Sequence, residues 1–313
     1  MEVFKKKNGY KTSDVKLYNR IWTHRDYYLL ALPAIIYVAV FCYVPMYGLQ
    51  IAFKNYRMSL GVMNSPWVGF RNFTDFFNSY SFWRLMENTF VLSFYQIIVG
   101  FPMPVIVALV LNELKGGFKR TVQTVLYAPH FISTVVIVSM LVTMFSPSVG
   151  VVNTMLETLG MKRIYFFGSP DYFRHLYVWS GVWQQMGWNA IIYLAALSGV
   201  DPELLEAAQI DGATRMQRIT KINLPTILPT VVIMLILQMG KIANVAYEKV
   251  YLMQTELNLD TSEVISTFVY KRGLEGGNYS YSTAVGLFNN LINIMMLFVA
   301  NKISKKVSET SLF

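Results

Sequence analysis

Apolar residues fall in six blocks separated by polar connections, at about 28–52, 88–112, 122–145, 175–198, 226–247 and 281–301. Each block supplies the roughly 20 residues of helix that cross a hydrocarbon core about 30 Å thick, more than a soluble core helix requires. The pattern predicts an all-α integral membrane protein with six transmembrane helices. An even number of crossings puts both termini on one side. The first connection is rich in Asn, Ser and aromatics, and Trp67, Phe70, Phe73, Phe76, Phe77, Tyr80, Phe82 and Trp83 suit a helix anchored in the membrane interface. The predicted order is an N-terminal segment 1–26, a first transmembrane helix 27–53, an interfacial loop 54–87, a core 88–302 with five transmembrane helices, and a tail 303–313. No repeat of solenoid period is present, and only the first 26 residues and the last dozen read as loosely ordered.

Composition agrees: of 313 residues 54% are hydrophobic and 14% charged. The net charge of +9 is explained by membrane sidedness, because Lys and Arg near helix ends are retained in the cytoplasm. Most of the 27 basic residues fall on one side: Lys5, Lys6, Lys7, Lys11, Lys16, Arg20, Arg25, Lys115, Lys119, Arg120, Arg215, Arg218, Lys221, Lys302, Lys305 and Lys306. Both termini are therefore expected in the cytoplasm, and the 54–87 loop outside. The excess is not that of a nucleic-acid binder, which gathers basic residues and stacking aromatics on a soluble face. Basic residues continue to Arg25 and no small-residue cleavage site follows, so the first block reads as a retained helix. Cys42 is the single cysteine, which leaves no disulfide framework or thiolate metal site.

The most informative connection runs from Asp201 to Pro225, on the predicted inner side. Asp201 can cap a helix whose first position is Pro202, and Glu203 favours its positive dipole end. Asp211 and Gly212 break that helix, Asp211 can cap a second one running through Gln217 and Ile219, and Pro225 closes it while opening the fifth span. The result is a cytoplasmic elbow. Leu204, Leu205, Ala208 and Ile210 form an apolar stripe beside Ala207 and Ala213, which can press into a groove on another protein. On the residues alone an ordinary amphipathic hairpin remains open.

Glu206, Ala207, Ala208, Asp211, Gly212, Ala213 and the run from Ile222 through Leu224 to Pro225 closely resemble the EAA loop of ABC-importer permeases. Met216 and Ile219 stand where that family often has aromatics. The resemblance continues through Leu32-Pro33, the run from Tyr43 to Gly48, Gly150 to Asn153, Trp183 to Trp188 and Tyr193 to Leu197, which are similar to carbohydrate permeases acting on polysaccharide-derived oligosaccharides. It implies the type I ABC importer permease fold in a bacterial cell membrane, with the EAA loop as the coupling helix seated in an ATPase cleft. It also implies a second permease, two ATPase subunits, an extracellular solute-binding protein and an oligosaccharide cargo. ATP and Mg2+ would be bound at the ATPase, and no cofactor by this chain.

Polar residues inside the spans are the candidate pathway, since each is costly against lipid. Gln184, Gln185, Trp188 and Asn189 combine amides with a flat apolar ring, a pairing suited to sugars. Gln238, Lys241, Asn244 and Tyr247, three residues apart, fall near one helical face, and Asn289, Asn290 and Asn293 recur on the sixth span. Amides also bond neighbouring helices, at about 1 kcal/mol each. Lys241 needs a partner, which a uronate carboxylate, Glu248, a carboxylate of the second permease or the outer interface could supply. Pro102, Pro104 and Pro129 can kink their helices, and His130 reads as a packing residue.

Enzyme motifs such as His-Glu-x-x-His, Gly-x-Ser-x-Gly and the phosphate-binding loop are absent from the sequence, so ATP must be hydrolysed elsewhere. A secondary transporter of polar solutes is the rival reading, but it would use carboxylates near mid-span, and none lies there. A membrane-anchored scaffold would bind through the elbow without solute flux.

Overall fold

The computed structural model describes residue 22 and residues 24–307. Most of the 1–26 segment and of the 303–313 tail therefore lies outside the described residues. No strand forms among those described, apart from a single bridge between Lys54 and Trp67. The chain divides into a short unit up to Gln50 and a large one from Ile51 onward. The first contains the helix Arg25–Val38, prolonged by a widened π-turn, Ala39–Tyr43, and by the start of a tighter 3-10 stretch, Val44–Phe53.

Among the described residues four helical runs are long and apolar enough to cross a membrane: Arg25–Phe53, Phe82–Glu113, Arg215–Met239 and Tyr279–Lys306. Two expected spans differ from these. The third is broken: Gly116–Phe131 and Thr134–Met144 meet at 97°. Pro129 sits in a 3-10 turn, and Ser133 then caps the next helix by accepting from the Val136 N–H. The fourth, Pro170–Leu197, has 28 residues but carries the amides and charges that lower its apolarity.

Three of the prolines are accommodated in the same way. Turns widened to π geometry occupy Ala39–Tyr43, Gln96–Gly100 and Ile219–Asn223, each ending two residues before Pro45, Pro102 or Pro225. A proline ring collides with the carbonyl four residues earlier and cannot donate to it. Those carbonyls belong to Phe41, Ile98 and Lys221, the central residues of the three turns, where the wider helix leaves room. Contrary to the expectation from the sequence, Pro225 therefore does not close the elbow's second helix. That helix and the fifth span form one run.

Pro170–Leu197 is the spine of the large unit. Toward its start Phe173, Tyr177, Val178 and Val182 pack with Leu92, Val138, Val250, Met253 and Val264. Toward its end Ala190, Tyr193 and Leu197 pack with Val105, Ala108, Leu109, Val200 and Ile227. Gly187 lets the Gly116–Tyr127 helix cross at backbone contact, since a Cβ there would lie 2.1 Å from the Leu126 carbonyl oxygen. A third cluster joins Phe76, Leu85, Ile265, Phe268 and Val285. Phe76 is thus a core residue, whereas Trp67, Phe70, Tyr80 and Trp83 keep the exposure expected of interfacial anchors.

Candidate functional site

The elbow forms from local rules. Asp201 caps the helix Pro202–Ile210 by accepting from the Glu203 N–H at 2.9 Å. At the far end the Ala213 N–H donates to the Ala208 carbonyl (2.8 Å) and the Gly212 N–H to that of Gln209 (3.1 Å), a Schellman closure that needs a left-handed residue. Gly212 provides it with φ +78°. The second helix is capped by Thr214 rather than Asp211: Thr214 Oγ1 accepts from the Gln217 N–H (3.3 Å), and Gln217 Oε1 accepts from the Thr214 N–H (2.7 Å). Asp211 instead ends the first helix.

The apolar stripe divides between two jobs. Leu205 packs inward with Val200, Ile219, Ile222 and Leu224, while Leu204, Ile210 and Met216 face outward. Glu206, Ala207 and Pro225 are also exposed. A 280 Å3 hollow in the crook is lined by Ala208, Asp211, Gly212, Ala213, Gln217, Arg218, Lys221 and Ile222. Arg218 reaches back to Glu113 at 4.0 Å, tying the elbow to the Pro102–Glu113 helix.

A groove of about 480 Å3 runs along the spine. Of the predicted pathway residues it gathers Gln185, Trp188, Asn189 and Gln238, with Gln96, Phe101 and Tyr193 beside them. His130 stacks on Trp188, ring centroids 4.2 Å apart and nearly parallel, and its Nδ1 lies 2.9 Å from Gln185 Oε1. The groove thus offers amides beside a braced aromatic face, which suits a solute with polar edges and apolar faces. Gln184 points elsewhere: it is buried and its Nε2 donates to the Ile132 carbonyl at 3.1 Å, bracing the break in the third span.

The remaining candidates do not share a helical face. The fifth helix stops at Met239, where the missing Cβ of Gly240 leaves room for Leu297, and the chain turns before Tyr247–Met253 begins. Gln238 is therefore on the helix and Lys241 and Asn244 are on the turn, contrary to the predicted alignment. Asn293 Nδ2 and Asn289 Nδ2 both donate to Asn244 Oδ1 at 3.0 Å, and the Ala243 N–H donates to Asn293 Oδ1 at 2.8 Å. These three amides latch the turn to the last helix. Asn290 and Lys241 are exposed, and Tyr247 stacks on Tyr270.

A second hollow of about 170 Å3 shares Gln96, Gly181 and Gln185 with the groove and adds Thr134, Tyr177, Gln184, Ala246, Glu248 and Lys249. Sequence reasoning missed Gln96 and Lys249. Gln96 was legible, as an amide inside a predicted span. Lys249 was not, because its burial follows from the break after Met239.

Residues 100–309 match the family described as the binding-protein-dependent transport system inner membrane component. The chain is similar to Protein LplB of Bacillus subtilis (strain 168), with 43% identity covering 91% of this chain and 90% of that protein. It is also similar to the polygalacturonan/rhamnogalacturonan transport system permease protein YteP of the same organism, with 40% identity covering 91% and 89%. Among solved structures, a chain of a bacterial alginate ABC transporter in complex with alginate pentasaccharide-bound periplasmic protein superposes with a TM-score of 0.87. That pair is 40% identical, over 95% of this chain and 99% of the other.

Proposed function

The chain belongs to the family of binding-protein-dependent transport system inner membrane components, and on that premise we propose that it forms half of the pathway of an ATP-driven oligosaccharide importer. The other half is a second permease. An extracellular binding protein delivers cargo, and two copies of a separate ATPase hold ATP and Mg2+. Six segments cross the bacterial cell membrane with both termini in the cytoplasm. The cargo is derived from a polysaccharide and acidic, in keeping with relatives named for polygalacturonan and alginate.

One observation carries the coupling role. The elbow's second helix and the groove-lining Met234 and Gln238 lie on a single helical run, Arg215–Met239. A displacement of the elbow by the ATPase then reaches the groove along about 37 Å of unbroken helical run, widened once at Ile219–Asn223. The outward Leu204, Ile210 and Met216 are the surface for an ATPase cleft.

The test is ATP hydrolysis by the complex, purified with its partners in lipid and stimulated by loaded binding protein. Gly212→Val places a β-branched residue at φ +78°, and Glu206→Lys reverses an exposed charge. Both variants should assemble and lose stimulated turnover. Normal stimulation in both would sink the coupling role.

A further inference from the structure

Two lysines of the large unit are buried, Lys54 at 7% and Lys249 at 6% exposure. Their surroundings differ. Lys54 Nζ donates to two carbonyls at the end of a helical turn, Val62 at 2.8 Å and Met63 at 3.1 Å, and so has partners for most of its three donors. Lys249 Nζ donates to one carbonyl, that of Tyr177, at 3.2 Å, and lies 5.1 Å from the centre of the Tyr177 ring. Among the described residues no carboxylate lies within 4.0 Å of it. Its remaining donors face the polar 170 Å3 hollow, whose walls include Gln96, Thr134, Gln184 and Gln185.

A buried ammonium without an anion is costly, and the expense is tolerated where an anion arrives. Burial pushes the Lys249 pKa down to about 8, so the group remains mostly charged at neutral pH. Its position is enforced by packing: Val250 and Met253 of the same helix are held in the core beside Tyr177 and Val178. Gly181 leaves the space, since a Cβ there would already stand 3.4 Å from Nζ. Glu248, exposed at the rim, is the one carboxylate among the lining residues. Because the hollow and the groove share Gln96, Gly181 and Gln185, a group held at Lys249 is continuous with the amide and tryptophan surface.

We infer that Lys249 holds a carboxylate of a uronate residue while the rest of the oligosaccharide lies along the groove, with Gln96 and Gln185, which line both cavities, bonding its hydroxyls. This rests on the oligosaccharide-import reading above and deepens it by naming the residue that selects acidic cargo. Lys241, the cation singled out from the sequence, sits on an exposed turn and lacks this enclosure.

The test uses the whole complex, purified with its partners and reconstituted in proteoliposomes. Uptake is measured for short galacturonate, mannuronate and guluronate oligosaccharides and for their carboxyl-reduced neutral counterparts, in wild type, Lys249→Met and Lys249→Arg. The expected result is that Lys249→Met weakens half-saturation for the uronate cargo by roughly ten- to a hundredfold, the worth of a charge-assisted hydrogen bond. Neutral cargo should be handled as by wild type, and Lys249→Arg should retain part of the preference. Equal loss for both cargoes, or loss of assembly in Lys249→Met with uptake unaltered in Lys249→Arg for both cargoes alike, overturns the inference in favour of an ion pair with the second permease. Uronate uptake unaltered in Lys249→Met also overturns it. Wild type that imports neutral but no acidic oligosaccharides overturns it while leaving oligosaccharide import standing, and wild type that imports neither removes the import reading itself.

Discussion

Single side chains in this protein are governed by what the backbone leaves unpaired around them. Asn153 is fully buried because its amide nitrogen donates to the carbonyls of Phe145, Ser146 and Ile164 while its oxygen accepts from the Ile164 N–H, closing the loop between the third and fourth spans. Its place in a motif was visible in the sequence, but its purpose was not, since its partners lie up to 11 residues away. Lys249 is the opposite case, a residue whose burial no local pattern announces. The pH dependence of its burial follows from the direction of its shift, from 10.5 to about 8. As pH falls, the unfolded lysine binds its proton before the folded one, so the stability present above pH 10.5 is lost as pH approaches 8. The difference is about 3 kcal/mol. Lys249→Met should therefore unfold at a progressively higher temperature relative to wild type as the pH of a thermal melt is lowered across that window. A gap that stays constant between pH 10.5 and 8 would refute it.

At the scale of helices, prolines and glycines decide where elements widen, bend or stop. The sequence marked Pro102, Pro104, Pro129 and Pro225 as kinks or boundaries; Pro102, Pro129 and Pro225 lie where the structure departs from regular helix, while Pro104 sits inside the regular helix Pro102–Glu113. Which departure each produces was not legible. Pro129 lies at a 97° break, whereas Pro225 is absorbed by a π-turn that keeps the run intact, and the choice depends on what packs alongside. Helix ends were legible only where capping is local. Asp201 and Gly212 were read correctly, but the end at Met239 depends on Leu297 and the amide latch, more than 45 residues away. If the π-turn sets the rotation between elbow and groove, Pro225→Ala should let the helix tighten and turn Gln238 away from its wall. Stimulated ATP hydrolysis should then fall several-fold, with the melting temperature unchanged or raised, since the substitution restores a helical hydrogen bond. Unaltered stimulation would show that the widened turn relieves strain and does no more.

Across the whole molecule the all-helical membrane architecture was readable because long apolar blocks have few other uses. The groove was half readable: Gln185, Trp188, Asn189 and Gln238 assemble there, while Asn289 and Asn293 hold the chain together behind it. Polarity within a span marks a residue that needs a partner, and only the three-dimensional arrangement says whether that partner is solute or protein. The broken third span has a further consequence, which concerns the lipid. Its second arm, Thr134–Met144, has 11 residues, about 17 Å of helix against a hydrocarbon core of roughly 30 Å. Beside so short a rod the bilayer must thin, and the elastic penalty of that thinning grows with acyl-chain length. Reconstituted in bilayers of increasing thickness, the complex should lose transport rate steadily, and a rate independent of thickness would mean that its partner subunits shield the gap. On the proposed function, the angle at Pro129 thus ties the rate of transport to the thickness of the surrounding membrane.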